Sequence, residues 1–191
     1  NDPPVSRMNF VNAELTKLAT NAFVSTKITF GNMLAQFCER LPGAHVDVVT
    51  SALGRDTRIG EKYLKGGIGY GGPCLVRDNV ALSALAHING GTARLAEATD
   101  GSNRQEVARL CALINATKTP DGTVGILGLS YKPGTDVVDA SQGVLLAEAL
   151  ASEGVPVVAY DPDAMEQARQ VLGNSVRFSD SAISCIQQSN L

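Results

Sequence analysis

The sequence predicts an α/β protein in two parts, an all-helical part to about residue 118 and an incomplete doubly wound parallel-sheet part after it. Two observations carry this. Up to Lys118 apolar residues recur at helical spacing in long segments. After Thr119-Pro-Asp-Gly122 short apolar runs alternate with helical segments, the pattern of parallel strands joined by crossover helices.

The first long helix is expected over residues 12–41, where Leu15, Leu18, Ala22, Phe30, Met33, Leu34, Phe37 and Leu41 fall at helical spacing. Asn12 is a suitable N-cap, and Pro42-Gly43 stops the helix. A helix of that length serves either as the spine of a helical domain or as a pairing surface between domains or subunits. A shorter helix fits 46–53. Residues 54–72 are loop-like and hold Gly60, Gly66, Gly67, Gly69, Gly71 and Gly72 among Arg55, Asp56, Arg58, Lys62 and Lys65. Helices follow over 73–88 and 93–117, the latter with a kink expected near Asp100-Gly101. Then come a strand at 123–127, a helix at 141–152, a strand at 155–160, a helix at 163–172, a strand at 176–177 and a helix at 180–188.

The chain has 191 residues, a net charge of −3 and 18% charged residues, which gives no electrostatic footprint for nucleic acid. No apolar run reaches the eighteen or so residues of a membrane helix, so no membrane partner is expected. The cysteines are Cys38, Cys74, Cys111 and Cys185, with no CxxC; a reducing, cytoplasmic setting follows. No metal-ligand cluster is readable. His45 and His87 stand far apart on helical segments. The start at Asn1-Asp-Pro-Pro and the end at Asn190-Leu191 read as positions inside a longer protein.

Three constellations could carry chemistry. In Gly71-Gly72-Pro73-Cys74 the proline suits a first helical turn, which puts Cys74 where the helix dipole favours a thiolate. Asp78, four residues on, shares its helix face. The plainer alternative is a glycine turn with an incidental cysteine. Lys17 and Asn21 lie about 40° apart on the first helix, opposite the Leu15/Leu18/Ala22 stripe, with Ser25 and Asn32 on their side. On residues alone a solvated face is the favoured explanation. Gly125-Ile-Leu-Gly128-Leu-Ser130 resembles the first turn of a dinucleotide-binding unit, but the GxGxxG spacing is absent. Asp161, the acid after the second strand, comes 36 positions beyond Gly125 rather than about 20. The expectation is a Rossmann-like unit with an altered phosphate loop, able to take a single nucleotide.

Three stretches together resemble the nucleotide-sugar 6-dehydrogenase family, typified by UDP-glucose dehydrogenase. They are Ala13-Glu-Leu-Thr-Lys17-Leu-Ala-Thr-Asn21-Ala-Phe, Arg58-Ile-Gly-Glu-Lys-Tyr-Leu-Lys65 with Gly69-Tyr-Gly-Gly-Pro-Cys74-Leu-Val-Arg-Asp78, and Gly125-Ile-Leu-Gly-Leu-Ser-Tyr-Lys132-Pro-Gly-Thr-Asp136. Their order and spacing match as well. The resemblance implies that residues 1–118 are a central helical dimerisation and catalytic domain. Residues 119–191 would be most of a C-terminal nucleotide-sugar-binding domain, and an N-terminal NAD-binding domain would lie outside this chain. It implies oxidation of a sugar C6 alcohol to a carboxylate with two NAD⁺. Cys74 would be the nucleophile, Lys17 and Asn21 oxyanion stabilisers, and Asp78 a base or the partner of Lys17. Tyr63, Leu64, Lys65, Gly69, Tyr70, Gly71, Gly72 and Lys132 would hold the nucleotide sugar, and Arg58 would reach the site of a dimer partner through helix 12–41. Cys74 and Gly71 would lie beside the NAD.

The chain departs from the family pattern at Asp139, where the family has an arginine facing the cofactor, at Arg77 for lysine and at Pro73 for serine. A reversed charge at Asp139 disfavours a pyrophosphate. UDP-glucose is the first expectation for the substrate, with GDP-mannose and UDP-N-acetylhexosamine as rivals. A two-electron hydroxyacid dehydrogenase, needing no thiol, and an inactive nucleotide-binding or dimerisation module remain as alternatives.

Overall fold

The computed structural model describes residues 4–191, and the elements run α1 (Phe10–Cys38), α2 (Val46–Gly54), α3 (Leu75–Ile88), α4 (Arg94–Thr117), β1 (Val124–Leu127), α5 (Gln142–Ser152), β2 (Val157–Tyr160), α6 (Met165–Leu172), β3 (Arg177–Phe178) and α7 (Ala182–Gln187). The three strands are parallel in the order β1-β2-β3, with Val124 opposite Val157 and Val158 opposite Arg177. Among the described residues no helix is long and apolar enough to cross a membrane.

The element boundaries differ from expectation where hydrogen bonds outrank periodicity. The N-cap of α1 is Asn9, not Asn12: Asn9 is extended and its side chain accepts the Asn12 N–H at 2.9 Å. Strand β2 begins at Val157 because the Val155 N–H still bonds to the Leu150 carbonyl at the exit of α5. Helix α6 begins at Met165 because the N–H groups of Asp163 and Ala164 are taken by Asp161. Helix α4 is continuous through Asp100-Gly101, where a kink was expected.

The apolar core belongs to the sheet. Val124, Ile126, Val157 and Ala159 pack with Val144, Ala147 and Leu150 of α5, Ala168 and Leu172 of α6 and Cys111 of α4. By the two-residue period of a strand, Gly125 and Val158 face the other way, toward α7. A Cβ on Gly125 would lie 2.6 Å from Ser189 Oγ, so glycine is what lets the end of α7 approach. Helix α4 thus starts in the helical part and ends inside the core of the sheet.

The helical part is built in the opposite sense. The buried residues of α1 are Ala22, Ser25, Gly31 and Asn32, and those of α3 are Asp78 and Asn79. Helix α4 buries Thr99, Asp100, Asn103 and Glu106 beside Ala96 and Cys111. The expected apolar stripe of α1 is split: Ala22 is buried and Leu18 and Leu34 are half-buried, but Phe30 is 45% and Phe37 52% exposed. On the face carrying Lys17, Asn21, Ser25 and Asn32, Ser25 and Asn32 are buried, Asn21 is half-buried and the Lys17 side chain stays 56% exposed, so the solvated-face reading holds only toward the start of α1.

Leu150 is 0% exposed at the centre of the sheet core. Leu150→Ala is expected to cost about 2–5 kcal/mol, the usual range for a core leucine that leaves a cavity, measured by urea unfolding.

Candidate active site

The glycine-rich segment between α2 and α3 is laid along α1 and tied to it at successive turns. Lys27 Nζ donates to the carbonyls of Ile59 (3.1 Å) and Gly60 (3.0 Å). Asn32 accepts the Gly67 N–H at 2.9 Å and donates to the Ile68 carbonyl at 3.2 Å. A Cβ on Gly31 would run into the backbone of Lys65, so α1 needs a glycine where the loop crosses it.

Beyond Ile68 the segment is gripped from two further elements. The Tyr70 N–H donates to Asn103 Oδ1 at 2.7 Å, and the Tyr70 carbonyl accepts from Asn103 Nδ2 (3.0 Å) and Gln142 Nε2 (3.1 Å). Asn103 belongs to α4 and Gln142 opens α5. The Gly72 N–H donates to the Asp139 carbonyl at 2.8 Å. Gly71 presses on the Ala140 carbonyl and Gly72, at φ +84°, lies under the Tyr131 ring, so neither has room for a side chain. Both parts of the molecule thus meet on residues 69–72.

Cys74 follows as the N-cap of α3, exposed and unpaired. It sits one position before the first helical turn expected for it, because α3 starts at Leu75 rather than Pro73. One turn on, Asp78 is 3% exposed. Its Oδ2 accepts from Lys17 Nζ in an ion pair and from Asn21 Nδ2 at 2.5 Å, while Arg77 Nε lies 3.6 Å from Oδ1. The Lys17 hydrogen bond, helped by Asn21 and opposed by burial, holds the Asp78 carboxyl below its ordinary range. Asp78 thus ties Lys17 and Asn21 together at the start of α3. The other thiols differ from Cys74: Cys38 is half-buried, and burial pushes the thiols of Cys111 and Cys185 up.

The structure divides the remaining candidates. Tyr70 is buried, and burial, with the nearby Asp100 charge, pushes its phenol up to about 12; its side chain anchors the loop. Leu64 is buried as well, so only its backbone can meet a ligand. Tyr63 is exposed with φ +62°, a left-handed conformation that a tyrosine rarely adopts. Lys65 is exposed beside it. Arg58, with a side chain 86% exposed, pairs with Asp56 at 2.6 Å and makes no contact with the Cys74 cluster. Lys132 lies 5.4 Å over the ring of Tyr131, which itself covers Gly72.

Lys132 also lines a cleft of about 680 Å³ at the C-terminal ends of β1 and β2, with Gly69 and Gln142 on its opposite rim. Asp161 is part of that lining and is 2% exposed. Its carboxylate accepts four backbone N–H groups, from Leu129 (2.7 Å), Ser130 (2.9 Å), Asp163 (2.8 Å) and Ala164 (2.8 Å). Burial alone would raise its pKa, but the four donors outweigh it and hold the group at about 2.

Two models of one family match these parts. The central-domain model of the UDP-glucose/GDP-mannose dehydrogenase family matches residues 11–105, and its UDP-binding-domain model matches residues 125–191. The chain belongs to the UDP-glucose/GDP-mannose dehydrogenase family. It is 38% identical over 179 residues to UDP-glucose 6-dehydrogenase TuaD of Bacillus subtilis, covering 92% of this chain and 38% of that protein. Against UDP-glucose 6-dehydrogenase AglM of Haloferax volcanii it is 37% identical over 182 residues, covering 95% of this chain and 42% of that one. Its fold is similar to that of a UDP-glucose dehydrogenase from the hyperthermophilic archaeon Pyrobaculum islandicum, with a TM-score of 0.93 at 35% identity, covering 98% of this chain and 44% of that one. The chain thus spans about two fifths of the length of these family members.

Sequence reasoning missed Asn103 and Gln142. For Asn103 a signal existed: Thr99, Asn103 and Glu106 recur at helical spacing on α4, a polar stripe where an apolar one would ordinarily be buried. For Gln142 there was none, since its role depends on a contact with Tyr70 72 residues away.

Asn103→Ala leaves the buried Tyr70 N–H without a partner and is expected to cost about 1–3 kcal/mol in urea unfolding, with faster amide exchange at Tyr70. Asp161 gives an acid limit. Its folded pKa of about 2 lies below the unfolded value, so its stabilisation is complete above about pH 4 and is lost as pH falls toward 2. In Asp161→Asn this share of the acid destabilisation, about 2 kcal/mol, should vanish from a pH series of unfolding midpoints.

Proposed function

We propose that this chain is the central and C-terminal portion of an NAD-dependent nucleotide-sugar 6-dehydrogenase that converts UDP-glucose to UDP-glucuronate, with Cys74 as the nucleophile. The observation that carries this reading is the cluster of Lys17, Asn21 and Asp78, with Asp78 one helical turn beyond the exposed Cys74 at the start of α3. The names of the relatives support UDP-glucose over the rival nucleotide sugars.

Residues 1–118 would then be the catalytic and dimerising part and 119–191 the nucleotide-sugar-binding part. The outward apolar residues of α1, Phe23, Phe30, Met33 and Phe37, support pairing of two copies along that helix. A cytoplasmic setting suits the four unpaired thiols.

NAD would accept the hydrides. The turn after β1 offers no free cradle for its pyrophosphate, since the Leu129 and Ser130 N–H groups are already taken by Asp161. Its binding would fall to a unit beyond these 191 residues, with Cys74 and Gly71 at its edge.

The chain's own residues would do the following. The C6 alcohol would first lose one hydride to NAD⁺ and its hydroxyl proton to water, giving the aldehyde. The Cys74 sulfur, its thiol proton passed to water, would then add to that carbon, forming a C–S bond and placing negative charge on the carbonyl oxygen. Lys17 has N–H groups left over from Asp78 and, with the Asn21 amide, neutralises that charge as it develops. Loss of hydride from the thiohemiacetal gives a thioester, which keeps the intermediate attached to the protein. Water cleaves the C–S bond, releasing the carboxylate and regenerating the thiol. Asp78, ionised throughout, keeps Lys17 and Asn21 in place. Lys132 and the backbone of residues 63–72 would hold the nucleotide sugar, and Arg58, free of the Cys74 cluster here, would serve the partner's site.

The test is NADH formation by the complete protein containing this chain, with a panel of nucleotide sugars. The expected result is two NADH per UDP-glucose, no acid from Cys74→Ser, and a kcat lowered roughly 10²–10³-fold in Lys17→Ala. No NADH with any of the sugars refutes the dehydrogenase reading. Unchanged acid production by Cys74→Ser refutes covalent catalysis and favours the two-electron alternative.

A further inference from the structure

The turn after β1 has the form of an anion site whose anion is part of the chain. Gly128, at φ +107°, turns the backbone so that the consecutive N–H groups of Leu129 and Ser130 converge on Asp161 Oδ2. Successive N–H groups that converge in this way make a concavity suited to a phosphate oxygen. The other carboxylate oxygen, Oδ1, fills a second such concavity made by Asp163 and Ala164. Helix α5 comes as close here as in a dinucleotide-binding unit: a Cβ on Gly143 would strike the Gly128 carbonyl. The turn, the glycines and the close helix are all in place.

We infer that Asp161 is a resident anion standing where a ligand phosphate would bind, and that it determines specificity by closing this turn to diphosphates. Its charge is buried and fully satisfied, so a phosphate entering the β1 turn would have to displace the two hydrogen bonds to Oδ2, while the two to Oδ1 hold the carboxylate in place. It would also meet a wall of like sign: Asp161 and Asp163 line the cleft, and among the described residues its one lining cation is Lys132. A nucleotide bound in the cleft must therefore carry its phosphates away from the β1 turn. The inference rests on the hydrogen-bond geometry and goes beyond the substrate reading.

The test is an amide NMR titration of the 191-residue chain at pH 7 with sodium pyrophosphate, NAD⁺ and, separately, UDP-glucose. In the wild type the Leu129 and Ser130 amides should not move with pyrophosphate or NAD⁺. Asp161→Gly vacates both concavities; its melting temperature should fall and then recover saturably with pyrophosphate, while the Leu129 and Ser130 amides shift along the same curve. Sodium chloride at equal ionic strength should give no such recovery. Wild-type amides that move with pyrophosphate overturn the inference, as does a glycine variant stabilised no more by pyrophosphate than by chloride. Should Asp161→Gly not fold, Asp161→Asn replaces it: loss of the charge should speed exchange at Leu129 and Ser130 roughly tenfold or more, and unchanged exchange overturns the inference. Failure to bind UDP-glucose, with a turn silent to pyrophosphate, would count against the substrate reading alone.

Discussion

The peptide of Tyr70 is the point on which the site depends. Asn103 binds both its N–H and its carbonyl, and Gln142 binds the carbonyl again from the other part of the molecule. A glycine-rich segment has large conformational freedom to lose on folding, and of residues 69–72 only Tyr70 has a side chain to bury. Two amide side chains hold the segment from outside. Cys74 inherits its position from that clamp, because only Gly71, Gly72 and Pro73 separate it from Tyr70. Removing Tyr70's partners would therefore affect a residue that none of them touches.

The second organising fact is the reversal of polarity in the helical part. Its interior holds Ser25, Asn32, Asp78, Asn79, Asp100, Asn103 and Glu106 beside Ala22, Leu64, Tyr70 and Ala96, while phenylalanines and a methionine of α1 face out. Buried polar groups stabilise little unless each finds a partner, but where they do they impose one arrangement. The pairs Arg104–Asp100 and Arg109–Glu106 meet that condition on α4, as Lys17–Asp78 does between α1 and α3. A polar interior of this kind fixes geometry.

Much of this was legible in the sequence. The order of helices and strands follows from periodicity, and the Cys74–Asp78 and Lys17–Asn21 spacings each place both members on one helix face. That the two pairs meet across 61 residues at Asp78 was carried by family resemblance and not by spacing. Periodicity misplaced the phenylalanines of α1, because the rule that apolar residues point inward fails when the inside is a polar cluster. It also missed Gln142, whose partner is another element's backbone. Asp161 was noticed as an acid at an unusual distance from Gly125. The structure gives that distance a meaning: the carboxylate closes on the chain's own turn rather than on a ribose.

The seam at Gly71 and Gly72 has a mechanical consequence. Thr119-Pro-Asp-Gly122 looks like a hinge between two parts, yet α4 enters the sheet core before reaching it and Gly72 is bonded to Asp139 beyond it. The two parts are therefore braced at two separated points, and bending at the linker would have to break both. The thiol and the cleft are thereby tied to each other on both sides of the linker.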